Sequence, residues 1–326
     1  MTERADWRPS APLANLRARA KLLADIRGFF QQADVLEVET PACSFHASTD
    51  PVLVSFRLDY NGPGAQGRPL YLHTSPEFPM KRLLAAGSGS IYQIAKVFRN
   101  GECGRLHNPE FTLLEWYRPG FDHERLMDEV AALVNSVLPK PRPVERFSYG
   151  ELFQTHLGVD PHQATVAELK ACAEKQGIAG VSTLDLPERD AWLDLLLTHC
   201  IEPHLGRDSL CFVYDYPASQ ASLARIRVGE PPVAERFELY MEGVELANGF
   251  HELADASEQR RRFEQDLVRR QAEGLPIVPM DEHMLSALET GLPDCAGVAL
   301  GIDRLLMQVV GAERLDEVLA FPLERA

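Results

Sequence analysis

Residues 98–117 constrain this chain more than any other stretch. Two apolar segments, 91–98 and 111–117, bracket a loop of Gly, Asn, Arg and His residues. That pattern predicts an antiparallel strand pair with a long polar loop at one end. Arg99 leaves the first strand, His107 sits in the loop and Phe111 opens the return strand. A guanidinium, an imidazole and an aromatic face together suit a nucleoside triphosphate, with donors for the phosphates and a ring for the base. A hairpin with a solvated loop accounts for the same residues, so the rest of the chain must decide.

The chain has 326 residues, 45% hydrophobic and 25% charged, enough for one large or two ordinary domains with a proper core. No run approaches the roughly 20 apolar residues of a membrane helix. The start, Met1 to Trp7, lacks the apolar core of a signal peptide, so a cytoplasmic location is expected. The cysteines at 43, 103, 172, 200, 211 and 295 form no Cys-x-x-Cys pair and read as reduced thiols. A formal net charge of −15 repels nucleic acid over most of the surface. Phosphate chemistry therefore needs a local basic pocket.

Residues 1–12 read as a loose polar arm, and 15–30 as a helix burying Leu22, Ile26, Phe29 and Phe30. A short alternating strand over 35–41 ends at Pro41. Strands near 52–58 and 70–73 flank a Pro- and Gly-rich loop at 61–69. Ser75-Pro76-Glu77 then reads as an N-cap and first turn, which alone would explain all three residues. That helix runs to about Ala86, where Gly87 stops it. Residues 122–138 form an amphipathic helix, and the Pro-rich segment 139–143 is the best candidate boundary. Residues 147–206 read as mostly helical. Strands return at 210–216 and 237–240, the latter pairing with 244–250 across Glu242-Gly243. A charged helix over 257–273 carries Arg260, Arg261 and Arg262, read as a solvated face. Residues 297–307 are a glycine-punctuated strand entering a helix.

Familiar nucleotide motifs are absent: there is no Walker-type loop and no Gly-x-Gly-x-x-Gly turn. His251-Glu252 has no second histidine in register, so the pattern predicts no protein zinc site. Glu245 and Glu252 flank Asn248 among apolar and small residues, a setting in which two carboxylates can share Mg²⁺ with a triphosphate. Arg304 follows a Gly-x-x-x-Gly strand, whose glycines argue for something passing close to the backbone. Arg99 and Arg304 would then clamp opposite ends of one triphosphate.

Together these pieces resemble the catalytic core of a class II aminoacyl-tRNA synthetase. Val38-Glu39-Thr40-Pro41 looks like that class's first motif, residues 98–116 like its second and residues 297–304 like its third. Thr74-Ser75-Pro76-Glu77, His107 to Phe111 and the run from Glu245 to Glu252 are similar to the lysyl-tRNA synthetase group. The initial helix begins by residue 15, leaving no room for that group's anticodon-binding barrel. Ala299 stands where the group usually carries glycine, and Gly101 where it carries glutamate. This combination resembles the truncated paralogues of the group that join (R)-β-lysine to elongation factor P.

The resemblance implies an α+β fold, an antiparallel β-sheet flanked by helices. It implies one catalytic domain over 1–326 with an α-rich insertion over 120–206 and no anticodon-binding domain. It implies a homodimeric, cytoplasmic ligase that forms an aminoacyl-adenylate from ATP with Mg²⁺. The expected partner is elongation factor P, with neither tRNA nor membrane. Arg99 and Arg304 would be catalytic. ATP would meet Arg99, Asn100, Gly101, His107, Asn108, Phe111, Glu245, Leu246, Gly301 and Arg304. The amino acid would meet Ser75, Pro76, Glu77, Tyr117, Asn248, Glu252 and Ala299, and Glu245 and Glu252 would hold the metal. A lysyl-tRNA synthetase that charges tRNA without the barrel, and an inactive paralogue serving as a regulatory subunit, are the alternatives.

Overall fold

The computed structural model describes residues 7–64, 66–184 and 186–326, so the first half of the N-terminal arm lies outside the described residues. The N-terminal third comprises α1 (Leu13–Gln32), β1 (Leu36–Glu37), β2 (Cys43–Ser44), β3 (Arg57–Leu58), β4 (Leu70–Leu72), α2 (Glu77–Ala85), β5 (Ile91–Phe98) and β6 (Glu110–Pro119). The middle comprises α3 (His123–Val137), β7 (Val144–Ser148), α4 (Tyr149–Leu157), α5 (Val166–Lys175), α6 (Arg189–Leu196) and β8 (Leu210–Pro217). The C-terminal part holds β9 (Ile226–Arg227), β10 (Val233–Met241), β11 (Val244–His251), α7 (Ala256–Ala272), α8 (Glu282–Gly291), β12 (Cys295–Gly301) and α9 (Ile302–Val310).

One nine-stranded sheet runs β1-β5-β6-β12-β11-β10-β8-β7, with β9 beside β10. The pairs from β5 through β8 are antiparallel, and β1 and β7 add parallel edges. This is the α+β architecture expected. The strand predicted over 35–41 keeps only Leu36 and Glu37, because only those two residues register with β5.

Alternation decides which face is covered. Leu114 and Trp116 of β6, with Val298 and Leu300 of β12, turn to a core built with Ile26 and Phe30 of α1, Leu126 and Val130 of α3, and Leu305 and Leu306 of α9. The intervening residues Leu113, Glu115, Tyr117, Gly297 and Ala299 face a cleft on the other side. Helices α2, α7 and α8 close one end of that cleft around Met80, Leu84, Phe263 and Leu285.

A second core gathers α4, α5 and α6 against β8 and β10. Helix α3 instead shares the first core with α1, so the helical unit foreseen over 120–206 is divided, and its separately packed part starts at Tyr149. Of the three arginines expected on the solvated face of α7, Arg260 and Arg261 remain there and Arg262 departs. Arg262 donates to the carbonyls of Ser222 and Ala224 and its side chain is only 13% exposed.

Candidate active site

The open face of the sheet floors a cleft of about 950 Å³. Arg99, His107, Asn108, Phe111, Glu245, Leu246, Gly301 and Arg304 line it, as do Ser75, Glu77, Tyr117, Asn248, Glu252 and Ala299. Asn100, Gly101 and Pro76 do not. Asn100 is exposed and its amide donates to the Val54 carbonyl, while Pro76 takes the cap position of α2.

At one end, charge is concentrated around a buried lysine. Lys81 Nζ sits 2.7 Å from Glu77 Oε1 and 2.7 Å from Glu252 Oε2, with its side chain fully buried. The first contact follows from helix geometry, since residues four apart in α2 share a face. The second crosses to the end of β11, where the Glu252 amide donates to the Cys295 carbonyl. Ser75 does not cap α2 with its side chain in the ordinary position. Its Oγ accepts from the Glu77 amide at 3.0 Å and donates to Glu115 Oε2 at 2.6 Å. Tyr117 OH donates to the other oxygen, Glu115 Oε1, at 2.7 Å.

Two carboxyls thus face one ammonium, and a third, Glu115, is buried close enough to feel the charges of both. Burial, then the charge of Glu77, lifts the Glu115 carboxyl to about 8, against the pull of its Ser75 and Tyr117 hydrogen bonds. Burial likewise lifts Glu252 to about 7, with Lys81 opposing and Glu77 reinforcing. Burial would lower Lys81, yet Glu252 and Glu77 together raise it, so it remains an ammonium. Gly297 forms the floor. A Cβ built there would meet Tyr117 Cε1 at 2.3 Å and Glu252 Oε1 at 2.5 Å.

The other end is basic. The Arg99 guanidinium lies 5.0 Å from the centroid of Phe111 and 3.6 Å from Glu102 Oε1. Arg304 Nη1 donates to the Glu245 carbonyl at 2.9 Å, and Nη2 donates to His107 Nε2 at 2.8 Å. Burial and the neighbouring Arg304 lower the His107 pKa, which keeps that nitrogen an acceptor. Asn108 is bound on both sides of its amide, to the Glu110 carbonyl and the Leu323 amide, so it ties the loop to the C-terminus. Asp303 does the same for α9, accepting from the Thr112 amide at 2.7 Å and pairing with Arg19.

The metal pair expected from sequence is corrected by the register of β11. Glu245 pairs with Tyr240 at one end of the strand, whereas Glu252 follows His251 at the other. Seven residues of strand span on the order of 20 Å, too far for one ion. Glu245 instead faces Glu238. Burial and the Glu238 charge raise the Glu245 pKa, and burial with Glu238 and Glu245 lifts Glu202 to about 7. Glu238 is itself held by Arg236, Tyr216 and Tyr240. Arg236 Nε also donates to Asn248 Oδ1 at 3.2 Å, and both residues line the cleft.

Lys81, Glu115, Glu202, Arg236 and Glu238 were missed from sequence. Two carried a signal: Lys81 stands four residues after Glu77, and Glu115 interrupts an otherwise apolar strand. Glu238 carried none, because a bulge between Leu239 and Tyr240 sets which β11 residue it meets.

The sequence is similar over its whole length to known proteins. Residues 3–325 match the family of tRNA synthetases class II (D, K and N). A protein of Yersinia enterocolitica serotype O:8 / biotype 1B named elongation factor P--(R)-beta-lysine ligase is 54% identical over 327 residues, covering both chains fully. Proteins of the same name from Edwardsiella ictaluri and Klebsiella pneumoniae subsp. pneumoniae are 55% and 53% identical, again across the whole of both chains. With a family match over residues 3–325 and relatives 53–55% identical across the whole of both chains, the chain belongs to the class II tRNA synthetase family.

Proposed function

We propose that this chain is an AMP-forming ligase that activates (R)-β-lysine with ATP and passes it to the ε-amine of a lysine on elongation factor P. The observation that carries this reading is the buried pairing of Glu77 and Glu252 with Lys81, with Glu115 beside the two carboxylates, in the same cleft as Arg99 and Arg304. One internal ammonium leaves the cluster short of positive charge, which favours an amino acid bearing two amines. The relatives' names supply the amino acid and acceptor.

In the first step the substrate carboxylate oxygen attacks the α-phosphorus, and the bond to pyrophosphate breaks. The protein contributes position and charge rather than a nucleophile. Arg99 holds the α-phosphate, Phe111 stacks on adenine, and His107 with Arg304 holds the distal phosphates. In the second step the acceptor amine attacks the adenylate carbonyl, an amide forms, and AMP leaves with a proton lost from the amine. Glu245 with Glu238 would hold Mg²⁺: burial and the nearby Glu238 charge raise the Glu245 pKa, a repulsion that a divalent cation would relieve. When bound, the ion neutralises the leaving pyrophosphate. The same reading has the enzyme acting as a cytoplasmic homodimer without tRNA. Ala299, paired beside Glu115 and Asn248, adds a methyl to the pocket that fits a displaced amine.

The test is incubation with ATP and either (R)-β-lysine or α-lysine, offering elongation factor P or tRNA as acceptor. Intact mass should rise by one β-lysyl group on the protein. Charging of tRNA with no change in the protein's mass would overturn the reading.

A further inference from the structure

Outside the cleft, the fold brings together two histidines that the sequence keeps far apart. His123 begins α3 and is 3% exposed, and both of its ring nitrogens are buried without a hydrogen-bond partner. His251 ends β11 on the face opposite its neighbours Phe250 and Glu252, and the two imidazoles stack at 6.4 Å. Glu235 of β10 completes a set whose ligand atoms all lie within 4.8 Å of one another. We propose that His123, His251 and Glu235, joined by Asp215, form a zinc site that pins α3 to β8, β10 and β11.

Each partner is oriented for that role. His251 Nε2 lies 3.0 Å from Asp294 Oδ1 and is fixed as the donor, which turns Nδ1 inward, 2.7 Å from Glu235 Oε2. A carboxylate that grips the far nitrogen is the usual outer support of a metal-bound histidine. Asp215 Oδ1 is buried without a partner, 4.0 Å from His123 Nε2, while its Oδ2 is taken by Arg227. Arg225 likewise holds Asp294. Arg227 also lies 3.9 Å from Glu235 Oε1, which leaves Glu235 Oε2 and the two imidazoles grouped together, with Asp215 Oδ1 beside His123.

Two imidazoles and two carboxylates make a four-coordinate donor set for Zn²⁺, and nitrogen donors argue against Mg²⁺. A tetrahedral zinc shell spaces its donors by about 3.3 Å, so side-chain rotation of roughly an ångström closes the site. Burial, with the neighbouring charges of Glu235 and Asp215 opposing, lowers the His123 pKa, keeping the imidazole in its metal-binding form. No spacing in the sequence announces this site, since β8, β10, β11 and α3 each supply one ligand.

The full chain, stripped with chelator and dialysed against Zn²⁺ and then buffer, should retain one zinc per chain by native mass spectrometry. Co²⁺ in its place should give the intense visible bands of a four-coordinate ion. His123→Gln and Glu235→Gln should each abolish retention, and Asp294→Asn should weaken it by roughly 10–100-fold. Glu245→Gln, in the cleft, should retain zinc like the wild type. Failure of the wild type to retain stoichiometric zinc would overturn the proposal even if a variant failed to fold. So would full retention by His123→Gln, or loss of zinc in Glu245→Gln.

Discussion

Lys81 Nζ and Glu252 Oε2 are 2.7 Å apart, and neither side chain is more than 1% exposed. Removing one member of such a pair strands the other, at a cost of about 3–5 kcal/mol. Lys81→Met should therefore lower unfolding free energy by about that amount in urea titrations at pH 8. The loss should be smaller at pH 6, where Glu252, held near 7, can take up a proton. Adding Glu252→Gln should recover stability without recovering adenylate formation.

Glu115 gives the protein a pH signature. Its carboxyl is raised from 4.5 to about 8, so between those values the folded state binds a proton that the unfolded state has released. Stability accordingly falls as pH rises through this window and levels off above it. Glu115→Gln should flatten that slope in thermal melts between about pH 5 and pH 8.

Substrate binding should move the same proton. An incoming ammonium favours the ionised carboxylates, so lysine-type ligands should release protons on binding near pH 7. Calorimetry in buffers of different ionisation enthalpy reads this directly. Equal heats in all buffers would contradict the placement of the amine at Glu115 and Glu252.

Arg99 contacts little beyond Phe111 and Glu102, so its loss should spare the fold. Arg99→Ala should reduce ATP–pyrophosphate exchange by roughly 100–1,000-fold or more, the scale of losing one charge-stabilising donor. Near-normal exchange would place the α-phosphate elsewhere.

Gly297→Ala should be harmful although the change is one methyl, because the new Cβ would meet Tyr117 and Glu252 at 2.3 and 2.5 Å. Stability should fall by about 1–3 kcal/mol, and KM for the amino acid should rise more than KM for ATP.

The sequence by itself determined the local units of this protein. Apolar runs marked β5 and β6, the polar loop between them marked Arg99 and His107, and glycines marked the strand leading to Arg304. These patterns are short-range, because side-chain direction along a strand is set by its own period. Only the tertiary structure decided which charges meet. Ser75, Pro76 and Glu77 satisfied a helix cap on paper, and it took the sheet to bring Glu115 to Ser75 and Glu252 to Lys81. Glu245 was matched with Glu252 by sequence proximity, whereas the bulged pairing of β10 with β11 gives it Glu238. The physical reason is that strand order and register are fixed by packing summed over the whole sheet, and no local spacing encodes them.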